Sequence, residues 1–208
     1  MNTKTYSLKT AGKSQLSLFP EPKKESVSID TLHQYLFLIS PPDSIKRKVK
    51  HIKQQLHGTI GLSNYNLHSI AHISLLSFHT ARPVNERFIQ VVQQLFLKNN
   101  AFKIKLNGVG SFTHSTSNTI YMNVEDSEQL TKMYKDLSLL LGFPSKTYVP
   151  HLTVARTIPK SHYEKGMQIV HQNQFTEEFE CAKVTVLERK LQNGIVSDYK
   201  VFKEIELW

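Results

Sequence analysis

The chain has one cysteine, Cys181, in 208 residues. A lone thiol excludes an intrachain disulfide framework and a cysteine metal cluster, and Cys181 is expected to pack as a small thiol. No apolar run approaches the ~20 residues that a membrane span requires. The N-terminus carries lysines but no apolar h-region, so no secretory signal is expected and a cytoplasmic location is the default. A His-Glu-x-x-His run is missing, and carboxylates do not gather near the motifs described below. No metal site and no cofactor are therefore expected. Acidic residues are in deficit, with 17 Asp+Glu against 26 Lys+Arg and a formal charge of +9. That excess favours polyanionic partners without naming one. The length and a hydrophobic content of 39% fit one sizeable domain, or two small lobes sharing a core.

Residues 1–28 are rich in Lys, Ser and Thr and carry Pro20 and Pro22, which predicts a flexible basic extension. Leu16 to Pro20 is a small apolar island within it. From residue 29 onward the pattern is that of a folded domain. Leu32 to Ile39 reads as a strand ended by Pro41-Pro42. Asp43 or Ser44 then caps a helix to about His57, with Ile45, Val49, Ile52 and Leu56 as its buried stripe. Its polar side carries Lys46, Arg47, Lys48, Lys50 and Lys53 with no acid. That is a solvated basic face or a contact with a nucleic-acid backbone. Ala71 to Phe78 reads as a strand, and Pro83 opens a helix with Val84, Phe88, Val91, Val92 and Leu95 on its core side. Phe102–Val109 and Thr119–Val124 alternate as strands around a polar loop, Gly110 to Asn118. Asp126 with Gln129 resembles a capping box for a helix that stops at Gly142. Pro150 leads into another strand, and Pro159 and Ser161 start a short helix to about His171. Phe179–Lys190 and Asp198–Leu207 read as two long strands joined through Asn193-Gly194.

Two short segments read almost alike: Ala71-His72-Ile73-Ser74-Leu75-Leu76 and Pro150-His151-Leu152-Thr153-Val154-Ala155. Side chains alternate along a strand, so a histidine and a hydroxyl two residues apart share a face. Of the ten histidines, four precede Ser or Thr in this spacing. His57 lies where the helical pattern ends at Gly58, and His114 lies in the polar loop. Only His72 and His151 are embedded in apolar, β-prone sequence. Two such strands facing each other line a cleft with two imidazoles and two hydroxyls.

On these residues the sequence resembles the 2H phosphoesterases, the group that includes bacterial 2'-5' RNA ligase-like proteins and RNA 2',3'-cyclic phosphodiesterases. Their mark is a pair of His-x-Thr/Ser-x motifs ending in an apolar residue, here His72-Ile73-Ser74-Leu75 and His151-Leu152-Thr153-Val154. The resemblance runs from about Thr31 to the C-terminus. The first motif departs from the commoner form in Ser74, where Thr is usual, and in Ala71, where Pro is frequent. The resemblance implies an α+β fold that is bilobal, with two pseudo-symmetric lobes, antiparallel sheets lining a central cleft and helices outside. Periodicity alone reaches only a mixture of helix and strand.

Opening a cyclic phosphate requires a base, an acid and donors that hold the developing negative charge. Histidine, with an unperturbed pKa of about 6.5, supplies the first two near neutrality. His72 and His151 are the expected acid–base pair, and the resemblance gives His151 the base role and His72 the acid role. Ser74 and Thr153 are expected to bind the non-bridging oxygens. Arg156 is a further candidate, or a strand-end surface charge. Phe112 and Tyr148, in loops beside the motif strands, either stack on a base or pack in the core. His114 reaches the cleft from its loop, or remains an ordinary loop histidine. The expected activity is metal-independent opening of 2',3'-cyclic phosphate ends to 2'-phosphomonoesters on RNA or a nucleotide, by a monomeric chain with no membrane contact. The 2'-5' joining reaction uses the same groups. Hydrolysis of 2'-5' oligonucleotides or small cyclic nucleotides, and a non-catalytic RNA-binding module that keeps the cleft, stand as alternatives.

Overall fold

A computed structural model describes residues 31–144 and 146–208, so the basic extension and its apolar island lie outside the described residues. Nine strands form one antiparallel sheet in the order β6-β3-β4-β5-β2-β1-β7-β8, with β9 also pairing β7. The strands are β1 (Thr31–Ile39), β2 (Ile73–Thr80), β3 (Phe102–Thr113), β4 (Ser117–Glu125), β5 (His151–Pro159), β6 (Glu177–Cys181), β7 (Lys183–Gln192), β8 (Ile195–Val196) and β9 (Lys200–Glu206). The helices are α1 (Asp43–Ile60), α2 (Asn64–His68), α3 (Glu86–Phe96), α4 (Glu128–Leu140) and α5 (Tyr163–Gln172).

The sheet has a seam. β2 and β5 meet through a single registered pair, Ile73 with Leu152, whereas their other neighbours are joined along most of their length. The seam divides the sheet into two lobes, one of β1, β2, β7, β8 and β9 and one of β3 to β6. Helices interlock the lobes. α1, which follows β1, packs on β5 and α5 of the second lobe, while α4, which follows β4, packs on β2 of the first. One hydrophobic core therefore runs through both, from Tyr35, Phe37 and Phe88 to Ile104, Leu106 and Ile120. The protein is a bilobal α+β fold with the two motif strands at its centre. No helix among the described residues is long and apolar enough to cross a membrane.

The α1 stripe Ile45, Val49, Ile52 and Leu56 is buried as the spacing predicts. Lys53 is not on the solvated face: it sits four residues after Val49, on the buried side, and is 2% exposed. The basic face is also partly paired, Lys46 with Asp43 and Lys48 with Glu177. α1 runs past Gly58 and ends where Gly61 turns left-handed at φ 68°, its N–H bonding the His57 carbonyl. Pro42, not Asp43 or Ser44, stands at its cap position. α3 starts at Glu86 rather than Pro83, because the Asn85 side chain accepts the Phe88 N–H. The capping box at α4 does not form; Ser127 precedes the helix with no side-chain cap bond.

Two strand boundaries differ more. The polar stretch Gly110 to Asn118 is mostly sheet: β3 runs to Thr113 and β4 starts at Ser117, closing a long hairpin. Ladder hydrogen bonds there outweigh the turn-like composition. The run Phe179–Lys190 is two strands, broken at Ala182. β6 pairs β3 at one edge of the sheet and β7 pairs β1 in the other lobe. Asn193 and Gly194, with φ of 51° and 78°, make the tight turn expected of them, joining β7 to β8.

Candidate active site

Ile73 and Leu152 are both fully buried. Alternation then turns their neighbours to the opposite face, so His72, Ser74, His151 and Thr153 all face the cleft. Continuing the antiparallel register sets His72 across from Thr153 and Ser74 across from His151. A pseudo-twofold axis thus passes through the single Ile73–Leu152 pair. His72 itself lies one residue before β2 begins.

Each imidazole is held in the same way. His72 Nδ1 lies 2.8 Å from the Ile70 carbonyl oxygen, and His151 Nδ1 lies 2.7 Å from that of Val149. A carbonyl only accepts, so both Nδ1 atoms carry hydrogen and both Nε2 atoms are left for chemistry. No described residue hydrogen-bonds either Nε2. Burial lowers both pKa values from the usual imidazole range. The carbonyl bonds oppose that shift, and the Arg156 charge adds to it at both rings. At His72 the charges of Lys53 and His151 depress it further. Among the described residues, every charged group acting on the pair is a cation.

Arg156 reaches this side through a bulge. β4 and β5 slip between Ile120 and Tyr121, whose partners are Ala155 and Thr153. The extra residue flips the alternation, so Arg156 shares the face of Thr153 instead of opposing it. α2 clamps its backbone: buried Asn66 donates to the Arg156 carbonyl at 2.6 Å and accepts the Arg156 N–H at 3.0 Å. The guanidinium lies 5.8 Å from the Tyr65 ring centroid. No carboxylate pairs with it among the described residues.

Three residues support the site that the motif pattern did not single out. Lys53 donates to the Ser69 carbonyl and hydroxyl, both at 2.6 Å, just upstream of His72. Burial and Arg156 bring its pKa down to about 8. Asn66 fixes Arg156. Tyr121 lies 4.9 Å from the His151 ring and stands in register with Thr153. Alternation with buried Ile120 and Met122 would have put Tyr121 on the cleft face, so that signal was present in the sequence.

Phe112 is in β3, not in a loop, and meets His151 edge-on at 4.9 Å and Tyr121 at 4.5 Å. His151 is thereby flanked by two aromatic rings. Tyr148 is in a loop, but its hydroxyl donates to the Ser74 carbonyl at 2.8 Å and its ring stacks on Tyr134 at 4.4 Å. It fastens the residues before His151 to β2. His114 folds back onto the Thr119 hydroxyl at 3.2 Å. Among the described residues, no three His, Cys, Asp or Glu side chains come together as a metal-ligand set. Cys181 is buried as a free thiol.

The family model described as the 2'-5' RNA ligase superfamily matches residues 41–193, which contain both histidines, both hydroxyls and Arg156. The chain belongs to the 2'-5' RNA ligase superfamily. A relative from Archaeoglobus fulgidus, named RNA 2',3'-cyclic phosphodiesterase, is 30% identical over 129 residues, 57% of this chain and 69% of that protein. A Geobacillus kaustophilus protein whose name carries the word phosphoesterase is 31% identical over 106 residues, 48% of this chain. The chain spans 57% of the length of that relative. TT0787 of Thermus thermophilus shares the fold with a TM-score of 0.59 at 17% identity, over 83% of this chain and 97% of its own. E. coli LigT, solved with 3'-AMP, does so with a TM-score of 0.57 at 13% identity, over 84% and 98%.

Proposed function

We propose that residues 29–208 form a metal-independent phosphoesterase that opens 2',3'-cyclic phosphate ends of RNA to 2'-phosphomonoesters, acting as a monomer in the cytoplasm. The observation that carries this reading is the matched pair of imidazoles. Each has its Nδ1 hydrogen spent on a backbone carbonyl and its Nε2 open to the cleft, beside a hydroxyl and an arginine with which no carboxylate among the described residues pairs. The names of the Archaeoglobus fulgidus relative and the 3'-AMP bound by LigT lend it support.

In this mechanism His151 Nε2 takes a proton from water as the water oxygen attacks phosphorus. The bond from phosphorus to the 3'-oxygen breaks, and His72, protonated at Nε2, gives that oxygen its proton. The 2'-phosphomonoester remains. Ser74 and Thr153 hydroxyls and the Arg156 guanidinium hold the non-bridging oxygens as charge builds on them. With the 5'-hydroxyl of an RNA end in place of water, the same groups join RNA through a 2'-5' linkage: His151 takes the hydroxyl proton and His72 again protonates the 3'-oxygen. Charge elsewhere suits a polyanion: a groove of about 450 Å³ lined by Lys46, Arg47 and Lys50 ends at Ser69, Ile70 and Ala71, just before His72.

The test is a short RNA ending in a 2',3'-cyclic phosphate, with EDTA present, assayed for conversion to the 2'-phosphate. Wild type is expected to convert it, and His72→Ala and His151→Ala to lose the activity. Equal conversion by the double variant would sink the assignment. RNA affinity without turnover, unaffected by either substitution, would favour the binding module instead.

A further inference from the structure

The two motif strands are alike in one more respect. β2 slips against β1 between Phe37 and Leu38, whose partners are Leu76 and Ser74, so Leu75 is the extra residue. β5 carries its extra residue at the same place in its motif. The position equivalent to Arg156 in the first lobe is therefore Ser77, which brings no charge. A guanidinium comes instead from two strands away. Ser77 Oγ accepts from Gln34 Nε2 at 3.0 Å, and Gln34 Oε1 accepts from Arg189 Nε at 2.6 Å. Arg189 lies 4.4 Å over the Tyr199 ring.

Among the described residues, only one of the five N–H groups of Arg189 is used. Its terminal nitrogens bond to no described residue, and no carboxylate among the described residues pairs with it. An arginine tethered at Nε and stacked on a ring, with its outer fork unspent, is shaped to receive an oxyanion. Tyr199 links it to the reaction site. The phenol feels the charges of both Arg189 and Arg156 and the proximity of Tyr65, and Arg156 in turn acts on both catalytic imidazoles.

We infer that Arg189, steadied by Gln34 and Tyr199, binds a second phosphate of the substrate, beyond the one held at His72, His151 and Arg156. The inference rests on the phosphoesterase reading of the site. The ligand chemistry is a nucleotide carrying two phosphate groups. The second is either a terminal 5'-phosphate or the phosphodiester that links the last nucleotide to the rest of the RNA.

Binding is measured first, because it needs no turnover. Adenosine 3'-monophosphate and adenosine 3',5'-bisphosphate are titrated into the full chain at low salt, for wild type, Arg189→Gln and Arg189→Lys. Wild type is expected to prefer the bisphosphate by about tenfold or more, the worth of one charge-assisted hydrogen-bonded contact. Arg189→Gln is expected to erase the preference while keeping affinity for the monophosphate, and Arg189→Lys to retain part of it. Kinetics then separate the two sources: cytidine 2',3'-cyclic phosphate, its 5'-phosphorylated form, and a dinucleotide ending in the cyclic phosphate. A gain in kcat/KM confined to the 5'-phosphorylated mononucleotide assigns the terminal phosphate; a gain with the dinucleotide assigns the phosphodiester. Equal loss of affinity for both adenosine ligands in Arg189→Gln, or no preference in wild type, overturns the inference. A bisphosphate preference with no turnover of any substrate would leave the subsite standing and remove the phosphodiesterase reading.

Discussion

Gly110 lies opposite Tyr121 in the β3–β4 hairpin, and substituting alanine there tests how His151 is held. A Cβ at position 110 would stand 2.6 Å from both Cε2 and Cζ of Tyr121 and 2.7 Å from Oδ1 of Asn123. Carbon contacts are comfortable at about 3.5–4.0 Å, so the overlap is about 1 Å. The Tyr121 ring has little room to yield, since Phe112 packs at 4.5 Å and His151 at 4.9 Å. Two effects of opposite sign compete. Gly110 is not at positive φ, so alanine's restriction of the unfolded chain would stabilise by about 0.4–1 kcal/mol if space were open. Overpacking a filled site costs about 1–3 kcal/mol, and the overlap makes that cost prevail. Gly110→Ala is expected to lower Tm by roughly 2–4 °C per kcal/mol lost. Moving Tyr121 moves His151, and a displacement near 1 Å lowers kcat/KM by about a hundredfold. Thermal unfolding and cyclic-phosphate turnover are measured on the same samples, with Tyr121→Ala and the double variant completing a cycle. The alanine at 110 is expected to cost much less once the ring is gone. A Gly110→Ala protein that melts at or above wild type would refute the argument, because only the entropy gain would then remain.

Arg156→Gln removes a cation that depresses both imidazoles, so both limbs of the kcat/KM pH profile are expected to move to higher pH, with kcat/KM falling about tenfold or more. Limbs that stay in place would mean the guanidinium does not reach the pair. Lys53, with its folded pKa down at about 8 against the ordinary lysine value of 10.5, binds its proton less tightly folded than unfolded. Stability is therefore expected to rise with pH between about 8 and 10.5, and the difference between wild type and Lys53→Met to change across that window and be flat below it. A constant difference in chemical denaturation from pH 7 to 10.5 would count against it. Tyr148→Phe deletes the bond to the Ser74 carbonyl and keeps the stack on Tyr134, and is expected to cost about 0.5–1.5 kcal/mol in urea unfolding. No loss would show that the hydroxyl is equally satisfied by water.

Local period made part of this protein legible. The α1 stripe, the strands around both motifs and the Asn193-Gly194 turn follow from spacing and turn chemistry that act within a few residues. The cleft-facing set His72, Ser74, His151 and Thr153 follows from alternation once those strands are granted. What escaped depends on partners distant in sequence. A bulge is defined by the neighbouring strand, so Arg156 appears out of phase with Thr153 until β4 is in place. The break at Ala182 is invisible because no Gly, Pro, Asn or Asp interrupts the run from Phe179 to Lys190 to mark a turn. Only the pairing of β6 with β3 and of β7 with β1 separates the two strands. Lys53 departs from its sequence expectation for a different reason. Its charge argued for solvent, while its position four residues after Val49 argued for the core. Position prevailed because the Ser69 carbonyl and hydroxyl meet its ammonium there.

The two halves share a backbone device and differ in what surrounds it. Each histidine follows a residue, Ala71 or Pro150, that lets the chain place a carbonyl two positions back against Nδ1, and each is followed by a bulge at the same distance. The surroundings then diverge: His72 stands near Lys53 and His151 between Phe112 and Tyr121. Among the described residues, every charge acting on the two rings favours a neutral imidazole. A bound phosphate supplies the opposing negative charge and raises the affinity of both rings for a proton. In the proposed reaction the acid would be the ring nearest the leaving oxygen and the base the ring nearest the incoming one, as set by how the ribose and phosphate lie in the cleft. A pair with matched tethers is able to exchange those roles, and a site that joined ends by opening a cyclic phosphate and split the 2'-5' linkage back to it would require that exchange.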